Sequence, residues 1–175
     1  MIGSSSAPTI ETARLRLRAH RVEDFDACAA LWADKIVTRF IGGKPSTREE
    51  SWMRLLRNAG HWTLLGFGYW VVEERATGLF VGEIGFSDFK RDITPSLDGL
   101  PEGGWVLLPQ THSKGYATEA VTAIVAWGDR HFGGRQTTCI INPENTASIR
   151  VAEKCGYREF ARTTYKDAPI VVFRR

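Results

Sequence analysis

The stretch Trp105-Val106-Leu107-Leu108-Pro109-Gln110-Thr111-His112-Ser113-Lys114-Gly115-Tyr116-Ala117-Thr118-Glu119-Ala120 constrains this chain more than any other segment. A short apolar run with strand character is stopped by Pro109 and passes a small polar turn containing Gly115. It then opens into a helical pattern over about 115–130, with Ala117, Ala120, Val121, Ile124, Val125 and Gly128 on one side. Such a turn points free backbone N–H groups outward at the positive end of a helix dipole, which is a seat for a pyrophosphate. Gly115 removes the side chain that would block close approach, Ala117 keeps the first turn tight against a sheet, and Lys114 adds charge. The glycine spacing is not that of a P-loop, which needs Gly-Lys followed by Ser or Thr, and it matches no dinucleotide fingerprint. A strand, a glycine and a helix also make an ordinary tight turn, so the segment needs support from elsewhere.

The rest of the chain supplies a sheet for this unit. Arg14-Leu15-Arg16-Leu17-Arg18 alternates like a half-buried strand. Phe25, Cys28, Ala29 and Trp32 take helical spacing, with Glu23, Asp24 and Asp26 in the first turn. After the break at Ile41-Gly42-Gly43-Lys44-Pro45, Ser46-Thr47-Arg48-Glu49 reads as a capping box for a second helix carrying Trp52, Leu55, Leu56 and Ala59. Tyr69 to Val72 and Leu79 to Phe86 are strands joined by a turn at Arg75-Ala76-Thr77-Gly78, and residues 89–104 are a loop. Thr137 to Ile141 is a strand, Asn145 caps a helix ending at Gly156, and Tyr157 to Ala161 and Ile170 to Phe173 close the chain as strands. This order demands an α+β fold, one mixed sheet with helices on both faces.

A chain of 175 residues has room for one core and needs no staples. Cys28, Cys139 and Cys155 are odd in number, lack ligand spacing and sit in apolar stretches, so they read as reduced core residues, and no metal site is expected. The net charge of +3 is dispersed, which suits a small polyanion and excludes a nucleic-acid arm. Met1 to Pro8 has neither the charge nor the apolar core of a signal peptide. With no apolar run near ~18 residues, a cytoplasmic protein without membrane contact is expected.

Two segments carry a family resemblance. His112-Ser113-Lys114-Gly115-Tyr116-Ala117 is similar to the Gln/Arg-x-x-Gly-x-Gly/Ala motif of the GNAT acetyltransferase superfamily, with His in the first place. The run from Asn142 to Tyr157 is similar to its Asn-x-x-Ser…Glu-Lys-x-Gly-Phe segment. Glu11 to Arg18 and Val81 to Phe86 resemble strands of its ribosomal-protein-alanine (Rim-type) branch. The resemblance implies a single N-acetyltransferase domain over 1–175, with 1–10 a loosely ordered start. Its central sheet would be mixed, mostly antiparallel and seven-stranded, with strands four and five splayed and about four helices around it. It implies acetyl-CoA as co-substrate and direct attack by a primary amine, on a protein N-terminus or a small molecule, in a ternary complex by a monomer or homodimer. Val106, Leu107 and Leu108 would bond the pantetheine, the Leu107 amide or a neighbour would polarise the thioester, and His112, Ser113, Lys114, Gly115, Tyr116, Ala117 and Thr118 would cradle the pyrophosphate. Asn145 would lie near the cofactor, and the loops 39–46 and 163–169 would border the acceptor.

Two groups must move protons. Glu102, which a strand would aim to one face with Gly104 and Val106, is the first candidate base and Glu83 the second. Either also reads as a strand carboxylate without a catalytic part. The tyrosine acid common in the family's last helix is replaced by Ala152, leaving Ser148 as the substitute, although Ser148 equally reads as a capping hydroxyl. His112 occupies a position that acts through its backbone. His20, His61 and His131 read as surface or packing residues. The vacancy at Ala152 keeps open a non-catalytic acyl-CoA-binding module of the same fold.

Overall fold

The computed structural model describes residues 6–175, and a left-handed Gly66 ends its longest helix so that the chain can return into the sheet. The strands are β1 (Ile10–Glu11), β2 (Leu15–Arg18), β3 (Tyr69–Glu74), β4 (Phe80–Ser87), β5 (Glu102–Leu107), β6 (Thr138–Ile141), β7 (Arg158–Tyr165) and β8 (Ala168–Arg174). The helices are α1 (Phe25–Ala33), α2 (Lys35–Thr38), α3 (Arg48–Leu65), α4 (Tyr116–His131) and α5 (Thr146–Lys154). One sheet of eight strands runs in the order β1-β2-β3-β4-β5-β6-β8-β7, antiparallel except for β5 beside β6. The eighth strand is β1, whose two residues pair with Leu17 and Arg16. Part of the start expected to be loose is therefore anchored. Ala7 is buried, and the Pro8 carbonyl accepts a 2.7 Å bond from the Trp70 indole; residues 1–5 lie outside the described residues.

The expected α+β architecture stands, with local corrections. Asp34 accepts from the amides of Ile36 and Val37 and so starts the extra helix α2, a cap not recognised in the sequence. The capping box of α3 lies one residue later than expected, Thr47 with Glu50 rather than Ser46 with Glu49. Its buried stripe is Ser51, Leu55, Asn58 and Trp62, while Leu56 is exposed. Apolar content suggested the wrong register, because a buried Asn can take a stripe position when a sheet carboxylate is there to bond it.

Alternation along the strands sorts the two faces. Ile84 and Phe86 join Val121, Ile124 and Val125 of α4 in the main core, where Trp62, Trp70 and Trp127 meet edge-on at 4.6–5.6 Å. Glu83 points to the opposite face, under α1 and α3. Register places Val106, Gly104 and Glu102 of β5 opposite Glu83, Gly85 and Ser87 of β4, so these six share that face. Among the described residues, no helix is long and apolar enough to cross a membrane.

Candidate active site

The only ladder pair between β5 and β6 is Glu102 with Thr138, and beyond it the strands separate. Backbone polarity then decides which groups the opening presents. The Leu108 amide bonds Val81 of β4, and the Pro101 carbonyl accepts from Thr138 on the other side. Strand groups alternate in direction, so the amides of Gly103, Trp105 and Leu107 face the wedge, whereas those of Val106 and Leu108 face β4. The Leu107 carbonyl is occupied by His112, whose Nε2 donates to it at 3.0 Å. Its amide is left at the mouth of the wedge. His112 thus ties the loop to the end of β5 through its ring, a role the sequence did not show.

The loop between β5 and α4 turns on Ser113, with φ +61°, and Gly115, with φ +77°. Gly115 is the N-cap of α4 and no side chain caps it, so the first-turn amides of Tyr116, Ala117 and Thr118 keep their donors. A Cβ on Gly115 would have only Arg14 Nη2 near it, at 3.4 Å. The loop is held from behind. Arg14 donates to the Lys114 carbonyl at 2.8 Å and to Glu119 at 2.7 Å, while its guanidinium lies 4.7 Å from the Tyr116 ring centre. Lys114 and Ser113 are exposed. An uncapped helix N-terminus, open space above a left-handed glycine and a strand edge without a partner together fit a nucleotide diphosphate with an extended arm.

The candidate proton-transfer groups differ sharply in surroundings. Glu83 has 1% of its side chain exposed. Its Oε1 receives His20 Nε2 at 2.6 Å and Asn58 Nδ2 at 3.2 Å, and its Oε2 receives Trp32 Nε1 at 2.6 Å. Burial would push its carboxyl up, but the bonds from His20 and Trp32 and the charge of Arg54 hold it below the usual glutamate range. His20, taken from sequence as surface or packing, is buried as the partner of Glu83. Cys28 lies against the same carboxylate, and burial beside that negative charge pushes its thiol up. All three cysteines are free and buried.

Glu102 is bound by Arg91 through two bonds of 2.6 and 2.7 Å. About two of the four lone-pair positions of its carboxylate remain for another donor. The Tyr69 ring covers Gly104, and a Cβ there would overlap its hydroxyl. Burial first, and the nearby Glu102 next, push the Tyr69 hydroxyl up. Ser148 is half-buried on α5, and its amide donates to Asn145 Oδ1 at 3.2 Å, so Asn145 is engaged in the helix cap. Ala152 has no exposed surface and belongs to the main core. Arg91, His20, and Arg54 and Arg57 of α3 were not singled out for this face by sequence, and Tyr69 reads there only as one of several aromatics, mostly core, of which some line an acceptor pocket. The spacing of Arg54, Arg57 and His61 along one flank of α3 was the available signal.

Residues 14–158 match the model of the Acetyltransferase (GNAT) domain. YkkB of Bacillus subtilis is 31% identical over 173 residues, covering 94% of this chain and 93% of its own. The structure of a GNAT-family acetyltransferase from Bordetella pertussis is similar at TM-score 0.85 and 27% identity, covering 97% of this chain and 99% of that one. The RimL ribosomal-protein acetyltransferase in complex with coenzyme A shares the fold at TM-score 0.78, covering 96% and 97%, but at 14% identity. That likeness extends to the fold and does not single out the Rim-type branch. The chain belongs to the GNAT acetyltransferase family, and it is an acyltransferase.

Proposed function

We propose that this protein transfers the acetyl group of acetyl-CoA to a primary amine by direct attack in a ternary complex. The observation that carries the reading is the pairing of an unpartnered strand edge with an uncapped helix N-terminus at its end. Leu107 and Trp105 present amides to an extended pantetheine, while Gly115 to Thr118 present theirs to the pyrophosphate. Val106 and Leu108 turn their backbone to β4 and pack with Leu31, Trp32 and Val37, so they support the strand rather than bond the pantetheine. Acetyl-CoA supplies an activated thioester, and the Leu107 amide is the donor placed to polarise its carbonyl.

Glu102 is the base we favour over Glu83. Glu83 is enclosed by three side-chain N–H donors and the Cys28 thiol and is 1% exposed, whereas Glu102 is bonded by Arg91 alone and keeps about two lone pairs free. Arg91 holds the Glu102 carboxylate in place through two bonds, and its remaining lone pairs can accept a water that carries the proton. Ser148 is the hydroxyl we assign to the departing sulfur.

Initial rates of thiol release with acetyl-CoA and amine both varied test this. Direct attack gives intersecting reciprocal plots; parallel plots would show a covalent acetyl-enzyme and overturn the ternary complex. Glu102→Gln is expected to lower kcat/KM about 100-fold with acetyl-CoA binding retained. An undiminished rate would remove Glu102 from proton transfer.

A further inference from the structure

The helix flank above the face that holds Glu83 carries two arginines that form no ion pair among the described residues. Arg54 and Arg57 of α3 stand three residues apart, with His61 a turn further on, on the side of the helix next to its buried stripe. Arg54 lies over the Trp32 ring, 3.6 Å from its centre, and Trp32 in turn donates to Glu83. Arg57 lies 5.1 Å from the centre of the Phe89 ring, which also has Arg91 at 4.6 Å and the His61 ring at 6.1 Å. The three guanidiniums therefore follow one another around the face that holds Glu83 and Glu102.

The acidic groups there are already engaged. Glu83 is surrounded by His20, Trp32 and Asn58, Glu102 is clamped by Arg91, and Asp88 pairs with Lys90 at 2.6 Å. Among the described residues, neither Arg54 nor Arg57 forms an ion pair. The Nε of Arg54 is buried without a hydrogen-bond partner. Aromatic stacking accommodates the charge of a guanidinium but leaves its in-plane donors unused. An orphaned buried donor is costly, and a site that keeps one gains when a ligand supplies the acceptor. Burial first, and the like charge of Arg57 next, lower the half-buried Arg54 from its ordinary value despite the nearby Glu83, whereas Arg57 keeps much of its surface in solvent.

We infer that the acceptor is an amine that also carries an oxyanion, a carboxylate or phosphoryl group, held by Arg54 and Arg57. The inference rests on the acetyl-transfer reading above and gives its substrate class. The planar fork of a guanidinium takes two oxygens of such a group at once, and the anion would supply the acceptor that Arg54 Nε lacks. A polycationic amine would meet the same guanidiniums with like charge, and the carboxylates of this face, Glu83 and Glu102, are already engaged by other donors.

Thiol release is to be compared for glutamate, phosphoethanolamine, an acidic-tailed peptide with a free N-terminus, glutamate diamide and spermidine. The expected result is a kcat/KM at least about 10-fold higher for an anionic amine than for its neutral counterpart, as one charged hydrogen bond is worth. In Arg57→Gln and Arg54→Gln this preference ratio should fall about 10- to 100-fold. Calorimetric titration of the same amines into protein saturated with coenzyme A reads binding without turnover and should show the same ratio and loss. Small anions and the peptide are separate arms that identify which source of oxyanion fits. Spermidine or the diamide as the better acceptor, or a ratio unmoved in both variants, overturns the oxyanion site while acetyl transfer stands. Acetyl-CoA binding with no thiol release on any amine overturns the transfer reading, and an absent calorimetric preference would overturn the oxyanion site with it.

Discussion

Residue by residue, the two carboxylates of the face beneath α1 and α3 differ in how many donors hold them. Glu83 and Glu102 share a sheet face and both looked like strand carboxylates, yet the first is sealed and the second clamped. The difference lies in donors from distant parts of the chain, His20, Trp32 and Asn58 against Arg91, and no local pattern in the sequence joins these to their partners. His20 is positioned because Arg18 binds Asp24 by two bonds and Glu73 by a third, fixing the chain leaving β2. Glu83→Gln would replace one acceptor oxygen with a donor facing Trp32, His20 or Asn58, and orphaned donors cost about 1–3 kcal/mol each. A loss of about 3 kcal/mol in urea unfolding at pH 7 is therefore expected. Because the folded carboxyl is held below its ordinary value, its contribution is complete above about pH 4.5 and fades as pH falls through the folded value. The variant should show a flatter acid limb than the parent, and a loss under about 1 kcal/mol would show that the network is not closed.

At the scale of elements, the segment that was most legible in sequence is the turn from β5 into α4. Pro109 stops β5, Gly115 adopts the left-handed conformation its position required, and Tyr116 opens α4. Asn145 likewise caps α5. These are local rules, written in a few adjacent residues. What was not legible was register: α3 is turned relative to its apolar pattern because Asn58 is drawn to Glu83, and that turn carries Arg54 and Arg57 toward the face that holds Glu83. On α5 the cap and the catalytic candidate can be separated. Ser148→Ala keeps the amide that Asn145 binds, so the helix should hold while kcat falls about 10-fold. A rate equal to the parent's, by thiol release, would show that the sulfur leaves without this hydroxyl. Restoring the family's tyrosine at position 152 is not a usable control, since Ala152 is packed in the core with no exposed surface.

The whole molecule divides its labour across the sheet. Tryptophans and the α4 side chains provide the packed face, α1 and α3 enclose the polar one, and the departure of β6 from β5 opens a wedge at the boundary. Sequence order alone suggested a mixed sheet with two covered faces. The splay came from the family resemblance, because a failure of two strands to pair leaves no mark in either strand's composition. Binding acetyl-CoA in that wedge should stabilise the fold by about 2.7 kcal/mol at 100 times Kd, raising Tm by roughly 5–11 °C. Asp tolerates the left-handed backbone that Gly115 occupies better than most residues, so Gly115→Asp should fold while placing a carboxylate where the pyrophosphate belongs. The most direct measurement is Tm with and without acetyl-CoA for parent and Gly115→Asp side by side. A rise of several degrees in the parent and none in the variant is the expected result, whereas an equal rise in both would place the coenzyme away from the amino end of α4.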